Sequence, residues 1–278
     1  MTNPIADPLV EVPDTDVASK LVQIEATPEG VATVTLNRAL RRNAFNAELI
    51  AALHEAFETL HGAEGVRVVF LRGAGGTFSA GADLEWMRDA IDRTEADNRD
   101  DAYQMAKMLK SLWDIPALTV ALVEGGAFGG GAGLAAACDM AVATADAKFS
   151  FSEVRLGIIA ATISPYVVAA VGPRQARGLF ATGRLFDAAY AEKVGLVTEV
   201  VADAVELDAA RERIATEMMA CAPGAVAESK RLVEDVAYQA IEDVMDETAK
   251  RIARARISEE GQEGVRAFLD KRKPSWAL

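Results

Sequence analysis

From Glu124 to Asp139 the chain reads EGGAFGGGAGLAAACD, six glycines with no large polar side chain among them. Glycine costs conformational entropy but permits positive φ and close approach of other atoms to the main chain. A cluster this dense marks backbone whose N–H groups face something. The small residues from Leu134 to Cys138 read as the first turns of a helix, whose opening amides lack an intrahelical acceptor and carry partial positive charge. The segment suits an anion, or an oxygen that becomes one.

Three kinds of chemistry use such backbone. A phosphate-binding loop of the nucleotide hydrolases needs Lys followed by Ser or Thr after its last glycine, and neither is present. A dinucleotide fingerprint fits Gly131-Ala132-Gly133-Leu134-Ala135-Ala136 in relaxed form, with Glu153 at about the interval of the acidic partner. Against it, the apolar strand LTVALV ends at Val123 and the chain runs on through Gly130 before that pattern begins. The third possibility is an oxyanion hole for acyl chemistry, which requires partners elsewhere in the chain.

Composition narrows the field. With 278 residues and 51% hydrophobic content, the chain can bury the core of one large domain, with or without an appendage. It has no apolar run near the ~18 residues of a membrane span, and its first twenty residues lack the basic start and apolar centre of a signal peptide. With Pro4, Pro8 and Pro13, residues 1–20 read as a mobile leader. Cys138 and Cys221 are the sole cysteines, too few for a disulfide framework or a metal cluster. A reducing, cytoplasmic setting is expected, without membrane attachment or a metal. The net charge of −13 opposes nucleic acid as a partner, because phosphate neutralisation needs clustered Lys and Arg.

Along the chain, two periods alternate. VATVTLN (31–37) alternates as a strand does, whereas Leu49, Leu53, Phe57 and Leu60 fall at helical spacing. The pattern repeats in VRVVFLRG from Val66, the loop GAGGTFSAGAD and a helix through Tyr103 to Trp113. It repeats again in ALTVALVEG, the glycine cluster and its helix. Short strands are expected at DMAVAT, around KFSF and at LVTEVV, and residues 205–270 read as helical, broken at Ala222-Pro223-Gly224. The fold class is α/β, with a core over 21–203 and a helical region over 204–278. The apolar positions Leu207, Ala210, Ile214 and Met218 are expected to lie on a face left over for self-association.

Two glycine-rich loops each follow a strand, Gly73 to Ala82 and Gly125 to Gly133, so amides of both could meet at one oxygen. With LNRALRRNAFN (36–46), FSAGADL (78–84), EGGAFGGGAGLAAACD (124–139), FSFSEVRLGI (149–158) and AFLDKRKP (267–274) in this order, the chain resembles the crotonase (enoyl-CoA hydratase/isomerase) superfamily from about Val22 to Lys273. The resemblance implies a spiral of repeated ββα units with a helical C-terminal appendage, assembled as a trimer or a pair of trimers. It implies an acyl-CoA thioester as substrate, with coenzyme A entering as part of it and no further cofactor.

In such a site the thioester carbonyl oxygen accepts the backbone N–H groups of Ala82 and Gly130, and Glu153 serves as general acid and base. Ala80, Asp83 and Leu84 line the nucleotide-bearing arm, and Phe268 and Lys271 meet coenzyme A across a subunit boundary. Family hydratases generally carry a second glutamate at the place of Gly133; this chain departs from that pattern. The run SEVRLGIIAATISPYVV looks like that of bacterial methylglutaconyl-CoA hydratase-like members, which usually have Pro where Ala160 stands. Arg155, Thr162, Ser164 and Tyr166 are available to hold a distal carboxylate. The expected activity is that of an enoyl-CoA hydratase, a lyase. The alternatives are an isomerase using one glutamate and a non-catalytic acyl-CoA-binding homologue. His54 and His61 are expected at a helix surface or end, and Asp139 in a structural cap or pair.

Overall fold

The computed structural model describes residues 21–277, so the leader read over residues 1–20 lies outside the described residues. The chain opens with an antiparallel pair, β1 (Val22–Ala26) and β2 (Val31–Leu36), followed by α1 (Ala47–Gly62) and β3 (Val68–Gly73). Next come α2 (Leu84–Asp89), α3 (Glu95–Trp113), β4 (Leu118–Val123), β5 (Gly126–Phe128) and α4 (Gly130–Ala136). Then follow β6 (Met140–Thr144), β7 (Lys148–Ser150), α5 (Ser164–Thr182), β8 (Phe186–Asp187), α6 (Ala188–Val194) and β9 (Glu199–Val201). Four helices close the chain: α7 (Ala204–Met219), α8 (Pro223–Val236), α9 (Ile241–Ile257) and α10 (Glu259–Leu269).

Six strands form one sheet in the order β1-β2-β3-β4-β6-β9, parallel throughout except for β1. A second, shorter ladder runs beside it. Phe45 bridges Ala82, Ser79 bridges Ala127, β5 pairs with β7, and β7 with β8. Each turn of the chain thus gives one strand to the large sheet and one short extended piece to the ladder before a helix returns it. This is the spiral of strand–strand–helix units, and it stacks the loops after β3 and β4 side by side.

Local chemistry starts and stops the elements. The Asn46 side chain accepts the Leu49 amide at 3.0 Å, and α1 then buries Leu49, Leu53, Phe57 and Leu60 at helical spacing. Thr94 and Asp97 form a reciprocal capping box on α3. In β3, Val69 and Leu71 join the main core with α1, α3 and α4, while Val68 and Phe70 belong to a separate cluster on the other face.

That second cluster corrects an expectation about the C-terminal region. Leu207, Ala210, Ile214 and Ala215 of α7 are buried against Val68, Phe70, Val120, Leu122 and Val142, with Met218 partly buried beside them. The apolar face of α7 therefore closes the core of its own chain, because the sheet's second face has no other helix on it in that cluster. Of the four C-terminal helices, only α8 and α9 bury no residue at all. They are tethered through polar contacts: Lys230 on α8 meets the Asp139 carboxylate at 2.7 Å and the carbonyls of Ile115 and Ala117. Asp139 also accepts the Thr119 amide at 2.8 Å, a structural role as anticipated. Helix α5, kinked at Gly172 and Pro173, was not anticipated.

Candidate active site

The ladder determines which amides stay free. The Phe45 amide donates to the Gly81 carbonyl at 2.7 Å, and the Asp83 amide donates to the Phe45 carbonyl at 2.8 Å. Ala82 lies between these bonds. Its own N–H belongs to the same planar peptide as the Gly81 carbonyl and points the opposite way, and it has no acceptor among the described residues. The next ladder piece is tied to the same loop, since the Ser79 amide donates to Gly126 and the Phe128 amide to Ser79, each at 3.0 Å. Gly130 opens α4, and its N–H likewise has no acceptor among the described residues. A β-carbon on Gly130 would stand 3.2 Å from the ring of Phe45, the residue that bridges Ala82. Both amides thus border one residue.

Glu153 starts a short 3-10 helix after β7. Its Oε1 lies 3.1 Å from where a β-carbon on Gly129 would be, so the carboxyl group occupies the space that glycine leaves. Gly129 has φ +48°, in the left-handed region, and its amide donates to Ser150 at 2.9 Å. Oε2 of Glu153 is buried and has no partner among the described residues. Burial raises the pKa of this carboxyl above the usual value, against a smaller lowering by a backbone hydrogen bond. A carboxylate so placed is a stronger base than one in water, and its proton has nowhere in the chain to go.

The glycine at the expected place of a second carboxylate has a physical reason. A β-carbon on Gly133 would fall 2.1 Å from Cγ2 of Ile163, which is only 2% exposed. Ile163 fills the place of any side chain at 133. Their separation of thirty positions hides this pairing from a reading along the chain.

The remaining candidates divide. Leu84 is 76% exposed at the start of α2, and Ala80 is half-buried with its amide donating to Arg42. Asp83 is 4% exposed, accepts Arg38 at 2.6 Å and caps α2 through the Glu85 amide at 2.8 Å. Burial alone would raise its pKa; the Glu85 amide and the Arg38 guanidinium outweigh that and hold it low. Both its oxygens are thus committed inside the chain. Phe268, 82% exposed, and Lys271 sit at the end of α10, with no hydrogen bond or ion pair to Glu153 among the described residues. Tyr166 packs on Trp113 with ring centroids 5.4 Å apart, and Ser164 caps back to Ala161. His54 is half-buried and bonded to Ser111 at 3.0 Å, more enclosed than anticipated. A cleft of about 180 Å³ lined by His54, Trp86, Asp101 and Gln104, among others, does not include Glu153.

No group of three or more His, Cys, Asp and Glu among the described residues could hold a metal ion, and no helix there is long and apolar enough to cross a membrane. Compared with known proteins, residues 26–277 match the family model described as enoyl-CoA hydratase/isomerase. The structure is similar to an enoyl-CoA hydratase from Shewanella pealeana, with TM-score 0.90 and 35% identity over 95% of this chain and all of that one. It is also similar to AtuE of Pseudomonas aeruginosa, with TM-score 0.89 and 38% identity over 93% of this chain and all of that one. In sequence, an enoyl-CoA hydratase of Alternaria alternata, ACTT6, is 30% identical over 86% of this chain and 78% of its own length.

Proposed function

The chain belongs to the enoyl-CoA hydratase/isomerase family, and from that premise we propose that it adds water across the double bond of an enoyl-CoA thioester, or removes it. The observation that carries this reading is the Glu153 carboxyl beside Gly129, its Oε2 buried and without a partner among the described residues, one peptide away from the free amide of Gly130.

Glu153 takes a proton from water as the water oxygen bonds to the β-carbon. The π electrons move onto the thioester oxygen, whose negative charge the Ala82 and Gly130 amides hold. Glu153 then returns the proton to the α-carbon, the enolate collapses to the thioester, and the carboxylate is restored. The two amides stabilise the enolate more than the neutral thioester, by roughly 3–4 kcal/mol for a good donor. Coenzyme A arrives with the substrate, and the reaction as written needs no other cofactor.

A branched or carboxylated acyl group, such as that of methylglutaconyl-CoA, is the preferred substrate. The exposed Val154, Leu156, Ile158 and Ile159 directly after Glu153 offer it an apolar wall, and Arg155 stands among them with no acidic partner among the described residues. Self-association of α8–α10 brings Phe268 and Lys271 of one chain to the thioester of the next, in a trimer or a pair of trimers.

Ile163 favours a second reading. By excluding a side chain at 133 it leaves Glu153 as the one carboxylate of the cluster, and a single proton shuttle suffices to move a double bond. Incubating the protein with crotonyl-CoA, methylglutaconyl-CoA and a 3-enoyl-CoA, followed by mass analysis, separates the cases. A gain of one water establishes hydration. Conversion at constant mass establishes isomerisation, and binding without turnover leaves an acyl-CoA-binding homologue.

A further inference from the structure

Behind the Ala82 amide lies a buried polar network that uses four side chains and reaches no ligand. One guanidinium nitrogen, Nη1 of Arg38, donates both to the Ala44 carbonyl at 2.8 Å and to Oδ2 of Asp83 at 2.6 Å. It therefore joins the two chain segments that form the Phe45–Ala82 bridge. The Arg38 amide donates to Oδ1 of Asn43 at 2.9 Å, and Nδ2 of Asn43 donates to the carbonyls of Ala74 and Thr77 at 3.0 and 2.6 Å. Ser79 Oγ donates to the Asn43 carbonyl at 2.8 Å and accepts the Gly81 amide at 3.3 Å. Asn43 and Ser79 are fully buried. Arg42 and Asn43 both hold positive φ, +49° and +54°, which a non-glycine residue keeps only where its surroundings over-determine it.

Such a network is a poor way to gain stability, because a buried ion pair often does no better than apolar packing of the same volume. Its bonds reach Gly81 and Asp83, on either side of Ala82, and the peptide planes between them set the direction of one N–H. An oxyanion donor acts by being aimed before charge develops. We propose that Asp83 and Arg38 are positioning residues for the Ala82 amide, holding it on the thioester oxygen without touching substrate. This inference rests on the reading of Ala82 as an oxyanion donor.

The test uses a thioester carrying a push–pull cinnamoyl chromophore, whose absorption moves to longer wavelength as its carbonyl oxygen accepts hydrogen bonds. The intact protein is measured first; absence of any band shift there refutes Ala82 and Gly130 as donors and leaves Asp83 nothing to position. Given a shift, Asp83→Asn keeps the helix cap but weakens the hold on Arg38. It is expected to shrink the band shift and lower kcat roughly 100-fold, the scale of an ångström's misplacement, with KM within about twofold and the acid limb set by Glu153 unmoved. Arg38→Gln is expected to do the same, and Arg38→Lys, which still donates to both acceptors, to recover most of both signals. An unchanged band shift and kcat in the folded Asp83→Asn and Arg38→Gln proteins would overturn the proposal, whatever happens to their melting temperatures. So would a loss of kcat at full band shift, since the fault would then lie elsewhere.

Discussion

Helix α4 and helix α9 spend their residues in opposite ways. In the seven residues of α4, all but the first are buried, and none is charged. In the seventeen residues of α9 none is buried, and its apolar residues Ile241, Met245, Ile252 and Ile257 are all exposed. The first helix is closed on every side by its own chain, so its contribution to chemistry comes from main-chain N–H groups. The second keeps side chains unspent, and in this fold they are available to another copy. The difference separates a site that requires a rigid surround from a surface that can vary with its partner.

The largest effect expected in the rigid region is that of Glu153→Gln. The amide keeps the volume and loses proton exchange, so kcat should fall roughly 100- to 10,000-fold with acyl-CoA binding nearly normal. Full turnover by the variant would remove Glu153 from the reaction. Next is the boundary between the two regions. Ile214→Ala on α7 should cost about 2–5 kcal/mol in chemical denaturation, whereas Ile252→Ala on α9 should stay within about 0.5 kcal/mol in the isolated chain. Equal costs would return α7 to the variable region.

Gly133→Glu sharpens the contrast within the core. Its side chain meets Ile163, not an acyl group, so overpacking should cost about 1–3 kcal/mol and crotonyl-CoA hydration should not rise. Adding Ile163→Ala should recover stability, as read by thermal melting. A single variant that hydrates crotonyl-CoA faster at full stability would show that Ile163 yields.

The smallest effect concerns pH. Burial raises the Glu153 pKa, so the carboxylate form needed as base is lost at a higher pH than for an ordinary glutamate, and the acid limb of kcat/KM shifts upward accordingly. The same sign applies to stability. A raised folded pKa favours the neutral form, giving stability that is present below the unfolded pKa and lost as pH rises through the folded one. At neutral pH Glu153→Gln should therefore melt slightly higher than the parent, an advantage that shrinks as the medium is acidified. A lower melting point at neutral pH would contradict the burial of this charge.

Much of the fold was readable because period survives in sequence: the strand around Val34, the helix of Leu49 to Leu60 and the short strands at DMAVAT and KFSF all have counterparts. Helix α5 escaped because SPYVVAAVGP carries β-branched residues and two prolines that mimic a strand and a break. The position of α7 was present in a signal left unused. VVFLRG is apolar on alternate positions of both kinds, as a parallel strand covered on both faces must be, and that requires a helix beyond those on one side. The role of Asp83 was hidden because Arg38 lies forty-five positions away. Only the ladder brings them together.

Gly129 carries one more consequence. The Glu153 carboxyl rests against this residue, and the Gly130 amide is the next peptide along. The proton carrier and one oxyanion donor therefore meet across two neighbouring turns of the spiral, where the Gly129 amide donates to Ser150 just before Glu153. Ala82 comes from the turn before, tied to the same ladder through Ser79 and Phe128. The three groups thus belong to three successive turns, and the temperature at which turnover begins to fail should report slippage between turns before the chain unfolds.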